Sequence, residues 1–226
     1  MCGRFTLTTD PKKVSEAFSG IEVPSEIPPR YNIAPSQPIA VVANNNPQRL
    51  EFFRWGLIPS WAKDPKIGNR MINARAETLA EKPSFKTAYK RRRCLIPADG
   101  FYEWRRSPVG KTKIPMYIKL HNDELFAFAG LWELWQGPDG SDILSCTIIT
   151  TSPNELVAEI HNRMPVILPP ESYAPWLDPA EQRREELDAL LKPFPAAQMM
   201  AHRVSTTVNN PRNDSPECIT PVDSLL

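Results

Sequence analysis

The sequence predicts an α+β protein: a single domain with a curved or barrel-like, mostly antiparallel β-sheet core and flanking helices. Short runs rich in Val, Ile, Thr and aromatic residues recur along the 226 residues. Pro, Gly and Asn interrupt these runs, and the 25 prolines are about twice the usual share. Helical patterns are fewer and are interleaved irregularly with the strand patterns, which favours α+β. No segment resembles a linker, so we expect one domain over residues 2–222.

The β-like runs are bounded by turn-forming residues and vary in how strictly they alternate. Ile118, Leu120, Phe126 and Phe128 show rough alternation, which predicts strands with one solvated face. The predicted strands are 5–9, 39–43, 50–55, 94–97, 101–105, 115–120, 125–135, 143–151 and 166–168.

Four segments have helical signals. Asp10 and Pro11 suit the N-cap and first position of a helix that runs to about residue 18. Asn154 is an N-cap candidate for a helix over 155–161. A helix is also expected from Pro83 to about residue 92, and an amphipathic one over 181–191.

Composition and cysteine spacing exclude several classes of protein. No apolar run approaches the roughly 20 residues of a membrane helix, and the N-terminus lacks the pattern of a signal peptide. We therefore expect a cytoplasmic protein with reduced thiols and no membrane partner. The four cysteines are widely separated without a CxxC pair, so we expect no metal site and no cofactor. A net charge of +1 excludes a broadly basic surface but allows a local basic groove.

The second residue is a cysteine, and a small second residue predicts removal of Met1. The chain would then begin with an α-amine and a thiol on adjacent carbons of Cys2. An α-amine has a pKa of about 7.7–8.0, so part of it is neutral and nucleophilic near pH 7. Such an amine forms a Schiff base with an aldehyde, and the thiol can then close a thiazolidine ring. On this residue alone, a cysteine that merely follows the start codon is the favoured interpretation.

Two further segments carry candidate proton-transfer groups. Glu103 lies among aromatic residues of a predicted strand, where loss of water raises the pKa of a carboxyl. His161 follows a predicted helix and could move protons near neutral pH. Each residue could instead be structural, Glu103 in a salt bridge and His161 as a helix cap.

Asn73 and Arg75 alternate onto one face of an extended segment. An amide and a guanidinium together suit an oxygen-rich or phosphate ligand. The alternative is a structural junction in which Arg75 forms a salt bridge with Glu77.

The signal for nucleic-acid binding is moderate. Residues 86–93 include a basic run whose members are Lys86, Lys90, Arg91, Arg92 and Arg93, and a helical face of Lys82, Lys86, Lys90 and Arg93 is expected to be solvated. Trp61 lies in a loop broken by Gly and Pro and could stack on a base. We expect Trp55, at the start of the same segment, to belong to the core.

Taken in order along nearly the whole chain, these segments resemble the SRAP (SOS response-associated peptidase) family. The segments that carry the resemblance are residues 1–5, 31–35, 55–61, 72–78, 93–104, 161–165 and 208–211. Each segment is weak evidence alone, whereas the ordered set is specific. Two departures from the family pattern are Asn162, where Asp is common, and a single Trp61 followed by Ala62.

The resemblance implies a role in the DNA-damage response, in which Cys2 cross-links abasic sites in single-stranded DNA through a thiazolidine and so shields the lesion. It implies Cys2 as nucleophile, Glu103 and His161 as proton-transfer groups, and Asn73 as a positioning amide. The DNA contacts that it implies are Arg4, Asn32, Pro35, Trp61, Arg75 and Arg163. We expect a monomer that is associated with the nucleoid when bound to DNA, and proteins of the replication fork are open as partners.

Two other classes remain open at this point. One is an N-terminal-nucleophile hydrolase or thiol peptidase that processes its own Met1, which would turn over an amide substrate. The other is a non-enzymatic reader of modified DNA bases, which would tolerate loss of Cys2.

Overall fold

Two β-sheets and a set of short helices make up the described part of the chain. The structure is a computed structural model, and it describes residues 2–107, 110, 112–180 and 182–222. The strands are β1 (Phe5–Leu7), β2 (Arg30–Ile33), β3 (Pro38–Ala43), β4 (Leu50–Trp55), β5 (Asn73–Arg75), β6 (Arg93–Ala98), β7 (Gly100–Arg106), β8 (Lys113–Leu120), β9 (Phe126–Gln136), β10 (Asp142–Thr151), β11 (Met164–Pro165), β12 (Ile167–Leu168) and β13 (Met199–Arg203). The α-helices are α1 (Pro11–Ala17), α2 (Lys86–Arg91), α3 (Glu155–Ala158), α4 (Tyr173–Leu177) and α5 (Arg184–Leu190).

One sheet closes on itself. Its path runs β11-β10-β4-β3-β6-β9-β12, and β10 also pairs with β9. Within the described ranges, β10, β4, β3, β6 and β9 therefore form a closed five-stranded barrel. The second sheet has the order β13-β8-β7-β1-β2. The pairings of β10 with β4 and β5 are parallel and the other strand pairings are antiparallel. The predicted α+β class with a barrel-like, mostly antiparallel core is confirmed.

The strand runs read from the sequence all occur, with ends shifted by one or two residues. Asp10 caps α1 as expected, its carboxylate accepting a hydrogen bond of 2.8 Å from the backbone N–H of Lys12. The predicted helix over 155–161 is too long, because α3 ends at Ala158. The helix predicted over 181–191 is α5, and residue 181 lies outside the described residues. The helix from Pro83 begins only at Lys86.

Sequence patterns missed four short elements, which are β2, β11, β13 and α4. Strands of two to five residues are too short to show a period, so their neighbours define them.

Arg93 is a second difference, because it is fully buried instead of lying on a solvated face. Its guanidinium donates to the backbone carbonyls of Tyr89, Lys90 and Trp176 at 2.5–3.1 Å, and so joins the ends of α2 and α4.

Aromatic residues join the second sheet to the barrel. The ring of Phe5 in β1 lies edge-on to Trp55 at 5.2 Å and to Phe128 at 5.7 Å between centroids. Phe101 of the neighbouring strand contacts Phe128 at 6.0 Å. All four side chains are buried, and each stabilises the fold by about 1.5–3 kcal/mol through burial alone. The N-terminal strand is therefore held between the two sheets.

Asp99, in the turn between β6 and β7, fixes the residues that follow β1. Its carboxylate accepts hydrogen bonds from the side chain of Thr6 and from both the backbone and the side chain of Thr8 and Thr9, at 2.5–3.0 Å. Gly100 allows this turn to pack closely, because a Cβ there would lie 2.1 Å from the hydroxyl oxygen of Tyr117. The register of β1 against β7 follows from these contacts, with Phe5 opposite Phe101 and Thr6 opposite Gly100.

This network makes Asp99 a sensitive position. We expect Asp99→Asn to lower the free energy of unfolding by about 3 kcal/mol, because an amide nitrogen would face backbone and hydroxyl donors that then lose their acceptor. Thr9→Val, which removes one of the donors, should cost about 1 kcal/mol. Urea unfolding of both variants measures the difference, and equal small losses would show that the network contributes little.

Candidate functional site

Cys2 lies at the meeting point of the two sheets. Its side chain is fully buried and its thiol is free. The ladder between β1 and β7 extends beyond Phe5, since the backbone N–H of Tyr102 donates to the carbonyl of Arg4 at 3.0 Å. This ladder brings the start of the chain alongside Glu103. Burial raises the pKa of the Cys2 thiol, and the negative charge of Glu103 raises it further. The thiol is therefore protonated at neutral pH.

Asn73 reaches Cys2 from the barrel side. It begins β5, which pairs with β10 through Ile148. The indole N–H of Trp55 donates to the carbonyl of Ile72 at 2.8 Å and so fixes the residue before Asn73. The Asn73 amide then donates to the carbonyl of Cys2 at 2.8 Å. Its oxygen Oδ1 is buried and has no hydrogen-bond partner among the described residues.

Glu103 is almost completely buried, at 2% exposure, in the middle of β7. It faces Met116 of β8 across the sheet. Removal of the carboxyl from water raises its pKa, and the charge of Lys113 acts in the opposite direction. A carboxyl with a raised pKa keeps its proton to a higher pH than an exposed one and can serve as a general acid or base.

His161 faces Glu103 from the other side of the site. It follows α3, and its backbone N–H donates to the carbonyl of Val157 at 2.8 Å. Its Nε2 lies 4.0 Å from Oε2 of Glu103, while its Nδ1 accepts a hydrogen bond of 3.1 Å from the backbone N–H of Arg163. Desolvation lowers the pKa of His161, so the ring is neutral and able to accept a proton at pH 7.

The expected DNA contacts divide into two groups. Arg75 is exposed on β5, Trp61 is 60% exposed, and Pro35 is partly exposed. Trp55 is fully buried, so the expectation that it belongs to the core is confirmed. The loop that carries Trp61 is fixed at its far end, because the indole N–H of Trp135 donates to the carbonyl of Ala62 at 2.7 Å.

Asn32 is held by protein groups, and its contact with DNA stays a prediction. It is fully buried, and its amide donates to the backbone carbonyls of Val208, Asn210 and Asn213 at 2.7–3.1 Å. Arg4 donates to Oδ1 of Asn32 at 2.7 Å and to the carbonyl of Val208 at 2.8 Å. Both side chains hold the segment near residue 210 against the second sheet.

Arg163 is also held by protein groups. It donates two hydrogen bonds, of 2.6 and 2.9 Å, to the Glu77 carboxylate and one of 2.6 Å to the carbonyl of Thr150. These bonds lower the pKa of Glu77. The salt bridge considered between Arg75 and Glu77 is thus wrong, since Arg163 takes that carboxylate and leaves Arg75 facing solvent.

Two cavities lie elsewhere in the described part of the chain. These cavities, of about 940 and 460 Å³, lie beside α4 and α5, and neither is lined by an expected site residue. Across the described ranges, no three His, Cys, Asp or Glu side chains are grouped to hold a metal ion. None of the helices described is long and apolar enough to cross a bilayer.

The sequence patterns did not indicate Lys113 as part of the site. Its charge acts on both Glu103 and His161, and only the pairing of β8 with β7 brings it there.

The closed barrel and the second sheet together enclose Cys2, a carboxyl, an imidazole and an amide. This arrangement defines an α+β protein whose candidate site is centred on Cys2. The chain belongs to the SOS response associated peptidase (SRAP) family, whose model matches residues 1–211. It is 53% identical to the abasic site processing protein YoqW of Bacillus subtilis (strain 168), over 97% of this chain and 99% of that protein. It is 35% identical to the abasic site processing protein HMCES of Pongo abelii, over 90% of this chain and 68% of that protein.

A solved structure has the same fold. The crystal structure of a protein from Bacteroides thetaiotaomicron, 28% identical in sequence, superposes with a TM-score of 0.88. The match covers 98% of this chain and 100% of that one.

The burial of Glu103 predicts an unusual dependence of stability on pH. A carboxyl whose pKa is raised by folding stabilises the fold below its unfolded pKa, and this contribution is lost as the pH rises through the folded value. Glu103→Gln should therefore raise the free energy of unfolding at pH 7.5, by about 0.5–2 kcal/mol, with the gain disappearing towards pH 4. Urea unfolding between pH 4 and 8 measures it.

Glu77 is the control for this prediction, because folding lowers the pKa of its carboxyl. Its contribution is present above the unfolded pKa and is lost as the pH falls through the folded value. Glu77→Gln should thus reduce stability at pH 7.5 and have less effect at low pH. Two variants that respond to pH with the same sign would contradict the assigned environments.

Proposed function

We propose that this protein processes abasic sites in DNA by forming a covalent thiazolidine cross-link with them through Cys2. The observation that carries the proposal is the convergence of four residues from four separate segments. Cys2, Asn73, Glu103 and His161 meet where the sheets join, with contacts of 2.8 and 4.0 Å. Membership of the SRAP family, and the names of relatives that process abasic sites, support the same conclusion.

The chemistry begins at the amine of Cys2, which removal of Met1 exposes. The ring-opened abasic sugar presents an aldehyde, and the amine adds to its carbon to give a carbinolamine. Loss of water gives an imine. Sγ then adds to the same carbon while its proton passes to the nitrogen, so that amine, thiol and aldehyde yield a thiazolidine and one water molecule. Ring closure removes the imine, which would otherwise acidify neighbouring protons and favour strand cleavage by β-elimination.

The environment of Cys2 suits this order of steps. Because burial and Glu103 keep the thiol protonated, the amine is the first nucleophile and the thiol needs help to lose its proton. Glu103 and the neutral His161 are the groups that move protons during water loss and ring closure. Asn73 holds the Cys2 carbonyl, and its buried Oδ1 is available to a sugar hydroxyl.

The exposed groups around the site favour a single strand as substrate. Trp61 projects from a loop that is anchored by Trp135, which makes it a suitable wedge against a base. Pro35 would support the splayed strand, and Arg75 would hold a phosphate. We assign the protein to the cytoplasm, acting as a monomer at the nucleoid.

Loss of the Cys2 thiol is the direct test. Cys2→Ala keeps an α-amine but cannot close the ring, so we expect no heat-stable adduct with an abasic oligonucleotide, and some strand cleavage. Intact mass of the wild-type adduct should equal the chain without Met1 plus DNA, less one water. Cys218→Ala, which removes another buried thiol, is the matched control and should cross-link normally.

The same experiment separates the cross-linker from the other classes. A stable adduct undiminished in Cys2→Ala would refute the thiazolidine. Turnover of a peptide substrate without retained DNA would favour the hydrolase. Binding to duplex DNA independent of Cys2 would favour a reader of modified bases.

The proton-transfer groups make a separate prediction. We expect Glu103→Gln and His161→Ala to slow adduct formation at saturating DNA by about 10²–10⁴-fold, the usual worth of general acid–base catalysis. Quenched-flow time courses with denaturing gels measure the rate. His202→Ala is the control, since its Nε2 contacts the carbonyl of Ile219, away from Glu103. Rates within about twofold of wild type would remove both groups from the mechanism.

A further inference from the structure

Arg105, near the end of β7, is a cation that is not among the expected DNA contacts. We propose that Arg105 binds a phosphate of the DNA strand next to the nucleotide that occupies Cys2. This inference rests on the proposed function and adds a specific binding residue to the same site.

Position on the strand is the first argument. Arg105 lies two residues beyond Glu103, so both side chains leave the same face of β7. The rise of a strand places their Cα atoms about 7 Å apart, within the reach of a guanidinium for a phosphate beside the reacting sugar. The residue opposite Arg105 on β8 is Ile114, so no acidic side chain neutralises the cation from the facing position.

The state of the guanidinium is the second argument. Nε of Arg105 is buried and has no hydrogen-bond partner among the described residues. Nε of Arg163 is likewise buried without a partner, but the terminal nitrogens of Arg163 and Arg4 donate to protein oxygens. Within the described part of the chain, the guanidinium of Arg105 has no such bond. A buried charged donor without an acceptor is costly. A phosphate accepts two hydrogen bonds from a guanidinium at once and would satisfy this group.

Charge is the third argument. Three cations lie at the same end of the second sheet: Arg105 and Arg106 at the end of β7, and Lys113, which faces Arg106 at the start of β8. Lys113, on the strand paired with β7, acts electrostatically on both Glu103 and His161. A positive potential at this end of the second sheet attracts the phosphate backbone towards the site.

Arg105 and Arg75 hold corresponding positions on the two sheets. Arg75 follows Asn73 by two residues on β5, and Arg105 follows Glu103 by two residues on β7. Asn73 and Glu103 both act on Cys2. A DNA strand bound at Cys2 would therefore contact one cation from each sheet. These two contacts take the place of the phosphate contacts expected from Arg4 and Arg163, whose guanidinium groups bind protein oxygens.

A salt series on three variants tests this inference. Arg105→Gln and Arg106→Gln each remove one positive charge from the same strand, but residues 105 and 106 lie on opposite faces. Fluorescence anisotropy with an undamaged single-stranded oligonucleotide gives the affinity and the slope of log affinity against log salt. We expect Arg105→Gln to weaken binding about tenfold at low salt and to flatten the slope by about 0.7. Arg106→Gln should change both quantities less.

The third variant separates binding from a structural role. Arg105→Lys retains the charge without the fork of donors, so it should restore the slope and only part of the affinity. Identical slopes for Arg105→Gln and wild type, or identical losses for the two glutamine variants, would overturn the assignment. Wild-type protein that binds strands but never cross-links abasic DNA would instead refute the proposed function, and the slopes on undamaged DNA would still decide the role of Arg105.

Discussion

The hydrogen bonds between Asp99 and the threonines that follow β1 are the interaction on which the rest of the site depends. A chain terminus normally frays, because few contacts offset the entropy of ordering it. Here a buried carboxylate accepts from Thr6, Thr8 and Thr9 and fixes the strand at its far end. Phe5 then anchors the strand between the barrel and the second sheet. Cys2 is consequently buried at a defined place.

The ionisable groups around Cys2 lie in positions that are unfavourable for their charged forms. Glu103 is nearly inaccessible and its pKa is raised, while the pKa of His161 is lowered. Both shifts come first from loss of water, so each group is destabilised in its charged form. Such environments concentrate at functional sites. In the proposed reaction, they keep the thiol, the carboxyl and the imidazole close to the protonation states that proton transfer requires.

The arginines show that a local sequence pattern does not predict the partner of a charged side chain. Arg4, Arg75 and Arg163 look equivalent as residue types in the sequence. In the fold, Arg4 contacts Asn32 and Arg163 contacts Glu77, whereas Arg75 faces solvent. Arg93 was expected on a solvated face and is instead buried against backbone carbonyls. A guanidinium finds its partners across the fold, at separations of up to about 200 residues here, and no local period encodes such a partner.

The sequence by itself determined the class of fold, the longer strands, the capped helix α1 and the candidate residues Cys2, Asn73, Glu103 and His161. Those conclusions rest on alternation, capping and residue chemistry, which act over a few positions. Only the tertiary structure decided how the barrel closes and that the four residues converge. It also decided which arginines bind protein oxygens and which face solvent. The physical reason is that pairing of β9 with β10, and of β1 with β7, joins segments far apart in the chain, and burial then sets each side chain's partners and charge.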